Sequence, residues 1–206
     1  MRLAVEPGSI WAGWRETLSD RQSVGYTLAS AMMMGGLYGY LNSVQQIMFD
    51  TYRRPELLAA VFAVTAATMA AANLLNARFV MRLGTKRIAH GAIAALCVLA
   101  GVHLVFALGG RDTLVVFSIL QALTMASFGL ATANFSAMAM ENMGGIAGTA
   151  SSVQGFVSVT AGVAIGAVIG QAYDGTTAPM IGGFLGVGLL ALLCVAVTNR
   201  GRLLTA

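Results

Sequence analysis

Charge is what this 206-residue sequence has least of: 10% of its residues are Asp, Glu, Lys or Arg, against about a quarter in ordinary soluble domains. Histidine is almost as scarce. His90 and His103 stand thirteen residues apart with no glutamate beside either, which excludes the HExxH zinc-protease pattern. The two cysteines, Cys97 and Cys194, lie inside apolar runs at a spacing that fits no motif, so they read as packed, reduced thiols and imply neither disulfide nor metal. GTASS at 148–152 has the wrong spacing for the G-x-S-x-G nucleophile turn, and no strand pattern surrounds it. Nothing resembles a phosphate-binding loop. These absences argue against an enzyme and call for no metal and no cofactor.

What the sequence does have is apolar length. Hydrophobic residues make up 57% of it, with 25 glycines and 12 methionines, and the mean hydropathy is +0.77. A helix needs roughly 20 mostly apolar residues to cross the hydrocarbon layer. Six such runs can be marked, near 24–47, 57–80, 88–108, 113–138, 146–170 and 179–198. All eight acidic residues (Glu6, Glu16, Asp20, Asp50, Glu56, Asp112, Glu141, Asp174) and all twelve Lys and Arg fall outside these runs or at their ends. A charge at the bilayer centre costs at least ~2.5 kcal/mol, so this segregation is what a membrane protein should show.

The cations also divide by side. Arg2, Arg15, Arg21, Arg78, Arg82, Lys86, Arg87, Arg200 and Arg202 fall on one side of the six runs, and Arg53, Arg54 and Arg111 on the other. Nine against three places both termini and the loop at 81–87 in the cytoplasm by the positive-inside rule. The net charge of +4 is thereby explained by topology and calls for no nucleic-acid partner; membrane lipid is the expected surrounding. Residues 1–22 read as a cytoplasmic segment lying at the interface, 23–199 as the transmembrane body and 200–206 as a cytoplasmic tail. Within the first of these, Ile10, Trp11, Trp14 and Leu18 share one face of a helix capped by Ser9, with Trp at the level of the headgroups. The first long apolar run lacks the shape of a cleavable signal peptide.

Polar residues inside the runs are patterned. Tyr38, Asn42 and Gln46 recur every four residues on one face of the first run, and Gln121, Thr124, Phe128 and Thr132 repeat the idea in the fourth. The second offers Thr65, Thr68, Asn73 and Asn76, and the fifth Ser151, Gln154 and Ser158. Gly155, Gly162, Gly166 and Gly170 add a small-residue face to the fifth, a packing surface by type. The third run has only His90 at its mouth and His103 near its far end, and the sixth has no polar residue before Thr198 at its last position. Helices apolar all round can face lipid, so these two form the expected outer pair, with His103 an interfacial residue. The order polar, polar, apolar occurs twice, which suggests two three-helix units.

The loop RLGTKR at 82–87 resembles the loop motif of the major facilitator superfamily found between helices 8 and 9 of twelve-helix transporters: Arg82, Gly84, Lys86 and Arg87 match, and Met81 stands where the acidic residue of the fuller motif would be. ENMGGIAGTASSVQGF (141–156) is similar to the start of helix 11 in drug/proton antiporters of the bicyclomycin and chloramphenicol resistance type, and GYTLASAMMMGGLYGYLNS (25–43) to their helix 7. The resemblance implies an all-α integral membrane fold: six transmembrane helices as two inverted three-helix repeats, equivalent to the C-terminal half of such a transporter. It makes Tyr38, Asn42, Gln46, Gln121, Thr124 and Phe128 the wall of a small-molecule cavity. It makes the glycine face at 155, 162, 166 and 170 a docking surface for an N-terminal six-helix half or a second copy of the chain. It further implies multidrug efflux by alternating access at the bacterial inner membrane, driven by a proton gradient whose titratable carboxylate would belong to the missing half. Uptake of another small solute, or a truncated scaffold that transports nothing, would share the fold.

Overall fold

The computed structural model describes residues 7–201. Arg2, Glu6 and Arg202, and the side chains of Ser9 and Ile10, lie outside the described residues. Among the described residues there are helices and no strands: α1 (Pro7–Ser19), α2 (Arg21–Gln46), α3 (Leu58–Leu83), α4 (Thr85–Leu108), α5 (Leu114–Met140), α6 (Ala147–Gln171) and α7 (Ala178–Thr198). The last six fall within three residues of the expected runs at each end. Their ends have local causes. Asp20 Oδ1 accepts the Ser23 N–H at 2.6 Å to open α2, and Thr113 Oγ1 accepts the Val116 N–H to open α5. Pro179 sits in the first turn of α7, where its missing N–H costs nothing. Gly84, at φ +83°, is the single residue between α3 and α4, a backbone conformation that favours glycine.

Five of these helices, α3 to α7, are long and apolar enough to cross a membrane, which marks a multi-pass membrane protein. By composition α2 is not among them. It is nonetheless the centre of the bundle, packing most closely against α6 and then against α7 and α5. α5 in turn packs against α3 and α4, and α4 packs against α7. Exchanging α2 with α5, α3 with α6 and α4 with α7 maps these pairings onto themselves.

The α2–α6 contact is a seam of small residues. A Cβ built on Gly162 would lie 2.7 Å from Met34 Cβ, and one on Gly170 2.7 Å from Asn42 Cβ; one on Gly166 would overlap Tyr38. From the other side Gly35 and Gly39 leave room for Ile165 and Ile169. The expectation that Gly155, Gly162, Gly166 and Gly170 together face outward is therefore corrected: the last three are occupied within the chain by α2, and only Gly155 has open space beside it. Glycine contacts let two backbones approach and gain dispersion contacts over many atoms, which is how helices associate where lipid offers no hydrophobic drive.

Two other expectations also change. α4 and α7 pack on one another, and the least buried long helix is α3, with Leu74, Leu75 and Met81 standing out from the bundle. In the N-terminal segment, α1 begins at Pro7, so Ser9 lies inside the helix and not at its cap. Trp11 and Leu18 are exposed as a membrane-facing pair would be, while Gly13 and Thr17 are buried where α1 meets α6, and the Trp14 ring lies 6.2 Å from that of Phe156.

Candidate functional site

Between α2, α3, α5 and α6 the bundle opens into a groove of about 610 Å³. Its apolar floor includes Met34, Met69 and Phe128. Its polar lining comes from all four helices: Ser30 of α2, Asn73 and Asn76 of α3, Thr132 and Ser136 of α5, and Ser151, Gln154 and Ser158 of α6. None of the lining residues carries a charge. Pockets of this kind, apolar with a few placed hydrogen-bonding groups, are what small-molecule sites look like.

Part of this lining is held by its own bonds. Asn134 Nδ2 donates to Asn76 Oδ1 at 3.0 Å, tying α5 to α3, and Gln154 Nε2 donates to Ser136 Oγ at 3.2 Å, tying α6 to α5. Thr132 Oγ1 donates back to the Phe128 carbonyl and Ser151 Oγ to that of Gly148. Three other groups have no hydrogen-bond partner although they are buried: Ser30 Oγ, Asn73 Oδ1 and Ser158 Oγ. They come from three different helices and all belong to the groove lining. A buried polar atom left without a partner costs about 1–3 kcal/mol, so these are the groups with most to gain from something placed beside them.

Of the six residues expected to form the cavity wall, Phe128 lines this groove. Gln121 and Thr124 are buried within the bundle; Thr124 bonds to the Leu120 carbonyl, and Gln121 Nε2 has no partner. Tyr38 and Asn42 lie along the α6 seam, where Asn42 Nδ2 donates to the Gly166 carbonyl at 3.2 Å. Gln46 is exposed at the end of α2. Conversely, Asn73, Asn76, Ser151, Gln154 and Ser158 do meet in one groove. A periodic stripe tells which residues share a face, not what that face meets.

The two ends of the bundle differ. At the end holding Arg21, Arg78, Arg82, Lys86 and Arg87, Gln22 Nε2 donates to Glu141 Oε2 at 2.6 Å, and Asn142 Nδ2 to Asp20 Oδ2 at 3.2 Å. The Arg21 guanidinium reaches the Val197 carbonyl near the C-terminus of α7, where cations are favoured. His90 Nε2 lies 3.1 Å from Tyr26 Oη, which accepts from Asn199 Nδ2 at 2.9 Å. Arg82, Gly84 and Arg87 are exposed at the tight turn between α3 and α4.

At the opposite end His103 is not the interfacial residue expected. It is 1% exposed, with Nε2 3.3 Å from Asp112 Oδ1, and its ring stands edge-on to Phe117 at 5.6 Å. Asp112 Oδ2 accepts from Thr177 Oγ1 at 2.6 Å, and its carbonyl accepts from Tyr52 Oη at 3.1 Å. Asp112 therefore gathers the α4–α5 corner and the start of α7 through its carboxylate, and the loop after α2 through its backbone carbonyl. Burial, and then the Asp112 carboxylate, push the Tyr52 phenol well above its ordinary value. Asp174, exposed nearby, is held below the usual carboxylate range by the Thr176 hydroxyl and backbone N–H. Sequence periodicity gave no sign of the His103–Asp112 contact, because the two residues lie on either side of the turn that ends α4.

The chain is 26% identical over 182 residues to a protein described as a bicyclomycin resistance protein homolog from Haemophilus influenzae; the match covers 88% of this chain and 44% of that protein. The resemblance first read from residues 25–43, 82–87 and 141–156 is borne out by this relative, and the chain spans less than half of the relative's length. No family model matches the chain. No solved structure matches it.

Proposed function

We propose that this chain is one six-helix half of a membrane transporter of the major facilitator kind, most like drug-efflux proteins. The observation that carries the reading is the uncharged polar groove between α2, α3, α5 and α6, walled by the least buried long helix, α3. The similarity to less than half of a bicyclomycin resistance protein homolog supports it. In this reading α2 spans the membrane as the sixth crossing segment: its 26 residues reach about 39 Å, and its polar groups are covered by α5, α6 and α7 instead of lipid. The helix pairings that survive exchange of α2–α4 with α5–α7 fit two inverted three-helix repeats.

Alternating access would rock this half against a second six-helix unit, supplied by an N-terminal half or by another copy, around the groove. Tyr38, Asn42, Gln46, Gln121, Thr124 and Phe128 would then belong to the walls and ends of the passage, with Phe128 at the groove itself. The end bearing Arg82, Gly84, Lys86 and Arg87 would face the cytoplasm of a bacterial cell, with the protein in the inner membrane. Antiport against protons would draw its coupling carboxylate from the second half.

The test is dye movement in proteoliposomes under an imposed pH gradient, with one uncharged and one cationic lipophilic dye. The chain is assayed alone and co-reconstituted with the first six helices of the Haemophilus relative, with cross-linking to report association. Gradient-dependent movement in either preparation is expected. A folded chain that moves neither dye in either preparation overturns the reading and leaves a helical scaffold.

A further inference from the structure

Hydroxyl-bearing side chains within these helices usually satisfy themselves. Thr65, Thr68, Ser118, Thr124, Thr132 and Thr198 each donate to the carbonyl four residues back. That bond is open to a helical Ser or Thr without help from a neighbouring helix, at a slight cost in helix regularity. Ser30 and Ser158 decline it and remain without a partner, although they are only 6% and 7% exposed, as do Thr27 and Ser43 of α2 away from the groove. Both line the groove, as does the equally unpartnered Asn73 Oδ1.

The groove also holds no charge to meet a charged solute. The charged residues of the described chain lie toward the two ends of the bundle, where Asp112 and Glu141 already accept bonds from Thr177 and Gln22. A cation or anion in the groove would lose its water and gain only neutral dipoles from this half, an unfavourable exchange in a low-dielectric site. An amide or hydroxyl would lose less and could satisfy Asn73 Oδ1, which needs a donor, and the Ser hydroxyls, each of which can donate or accept.

Resting on the transporter reading above, we propose that the substrate recognised by this half is an uncharged molecule carrying an N–H or O–H donor beside an apolar face. The donor bonds to Asn73, Ser30 and Ser158 hydrogen-bond its other polar groups, and Met34, Met69 and Phe128 take the apolar face. Any selectivity for a charged drug comes from elsewhere in the assembled transporter.

Three probes of nearly one shape separate these cases: benzamide, benzamidinium and benzoate. Binding of each to the full chain in lipid nanodiscs is followed by saturation-transfer NMR. Benzamide should saturate at least tenfold more tightly than either charged analogue. The preference should vanish in Asn73→Leu, which partitioning into lipid would not do. Asn73→Asp, a near-isosteric change, should invert the order so that benzamidinium binds best, and serves where the Leu variant folds poorly. Equal or tighter binding of benzamidinium by the unaltered chain overturns the proposal, as does benzamide binding indifferent to both variants. Failure of all three probes to bind overturns it too, while leaving the transporter reading to the dye experiment, which scores movement and not affinity.

Discussion

α2 and α3 are both 26 residues long, yet they occupy opposite places in the bundle. α3 is apolar enough to be recognised as a membrane span and is the least buried of the long helices; α2 is too polar to be recognised by composition and is the most enclosed. In a water-soluble protein the order would be reversed. Lipid is as apolar as leucine, so burial there is won by surfaces that let backbones approach and by polar groups that have nowhere else to go. α2 supplies both, with Gly25, Gly35, Gly36 and Gly39 buried beside Ser23, Thr27, Ser30, Ser43, Tyr26 and Tyr40. α3 buries only Val61, Thr65 and Ala72.

The contrast can be broken most severely at the seam. Gly166→Leu drives a side chain into the Tyr38 backbone, and the loss should exceed the ~1–3 kcal/mol typical of overpacking. We expect no folded monomer by size-exclusion chromatography in mild detergent. Gly155→Leu, on the open side of the same helix, should leave that elution unchanged.

A smaller break lies at the turn between α4 and α5. Asp112→Leu strands Thr177 Oγ1 and His103 Nε2 in a buried site, at about 1–3 kcal/mol for each group left unmet. Thermal unfolding followed by circular dichroism should show a clearly lowered midpoint. Smaller again is Tyr40→Phe. It removes the 3.3 Å contact between Tyr40 Oη and Thr65 Oγ1 that joins α2 to α3, while Thr65 keeps its bond to Val61. The expected cost is ~0.6 kcal/mol, the average for such bonds between membrane helices, readable by denaturant titration in mixed micelles.

The contrast is sharpened by a change that should do nothing to the chain by itself. Leu74→Ala with Leu75→Ala, at positions 74% and 56% exposed on α3, should leave the unfolding midpoint of the isolated chain in place. The same pair should weaken cross-linking to a second six-helix unit if α3 faces one. An altered midpoint would mean that the face of α3 bearing Leu74 and Leu75 already has a partner within the chain.

Much of this architecture is legible in the sequence because hydropathy and charge report directly on crossing a membrane. The helix ends fall within three residues of the apolar runs, and Gly84 does sit at a tight turn among cations. Rotation of each helix about its own axis is a different matter. Gly162, Gly166 and Gly170 announce a packing face, but the same pattern serves a neighbour inside the chain as well as one outside it, and only the fold shows α2 lying there. His103 sits in a helix apolar on every side, so periodicity could not say which side turns inward, nor that Asp112 folds back beneath it. The groove was half visible: the polar residues of α3 and α6 were conspicuous, but their convergence with Ser30 and Thr132 depends on which helices are neighbours.

The single-residue turn at Gly84 also sets where movement can begin. α3 packs only slightly against α4 while being joined to it by one residue, so the two are arms of a pair of dividers with the joint at the cationic end. Any swing of α3 grows with distance from that joint. Asn76 lies ~12 Å along the helix from Gly84 and Val61 ~35 Å, at 1.5 Å per residue. A small opening angle would thus leave the Asn76–Asn134 link near the joint almost undisturbed while parting Thr65 from Tyr40 farther out, and the groove would gape first at the end farthest from Gly84.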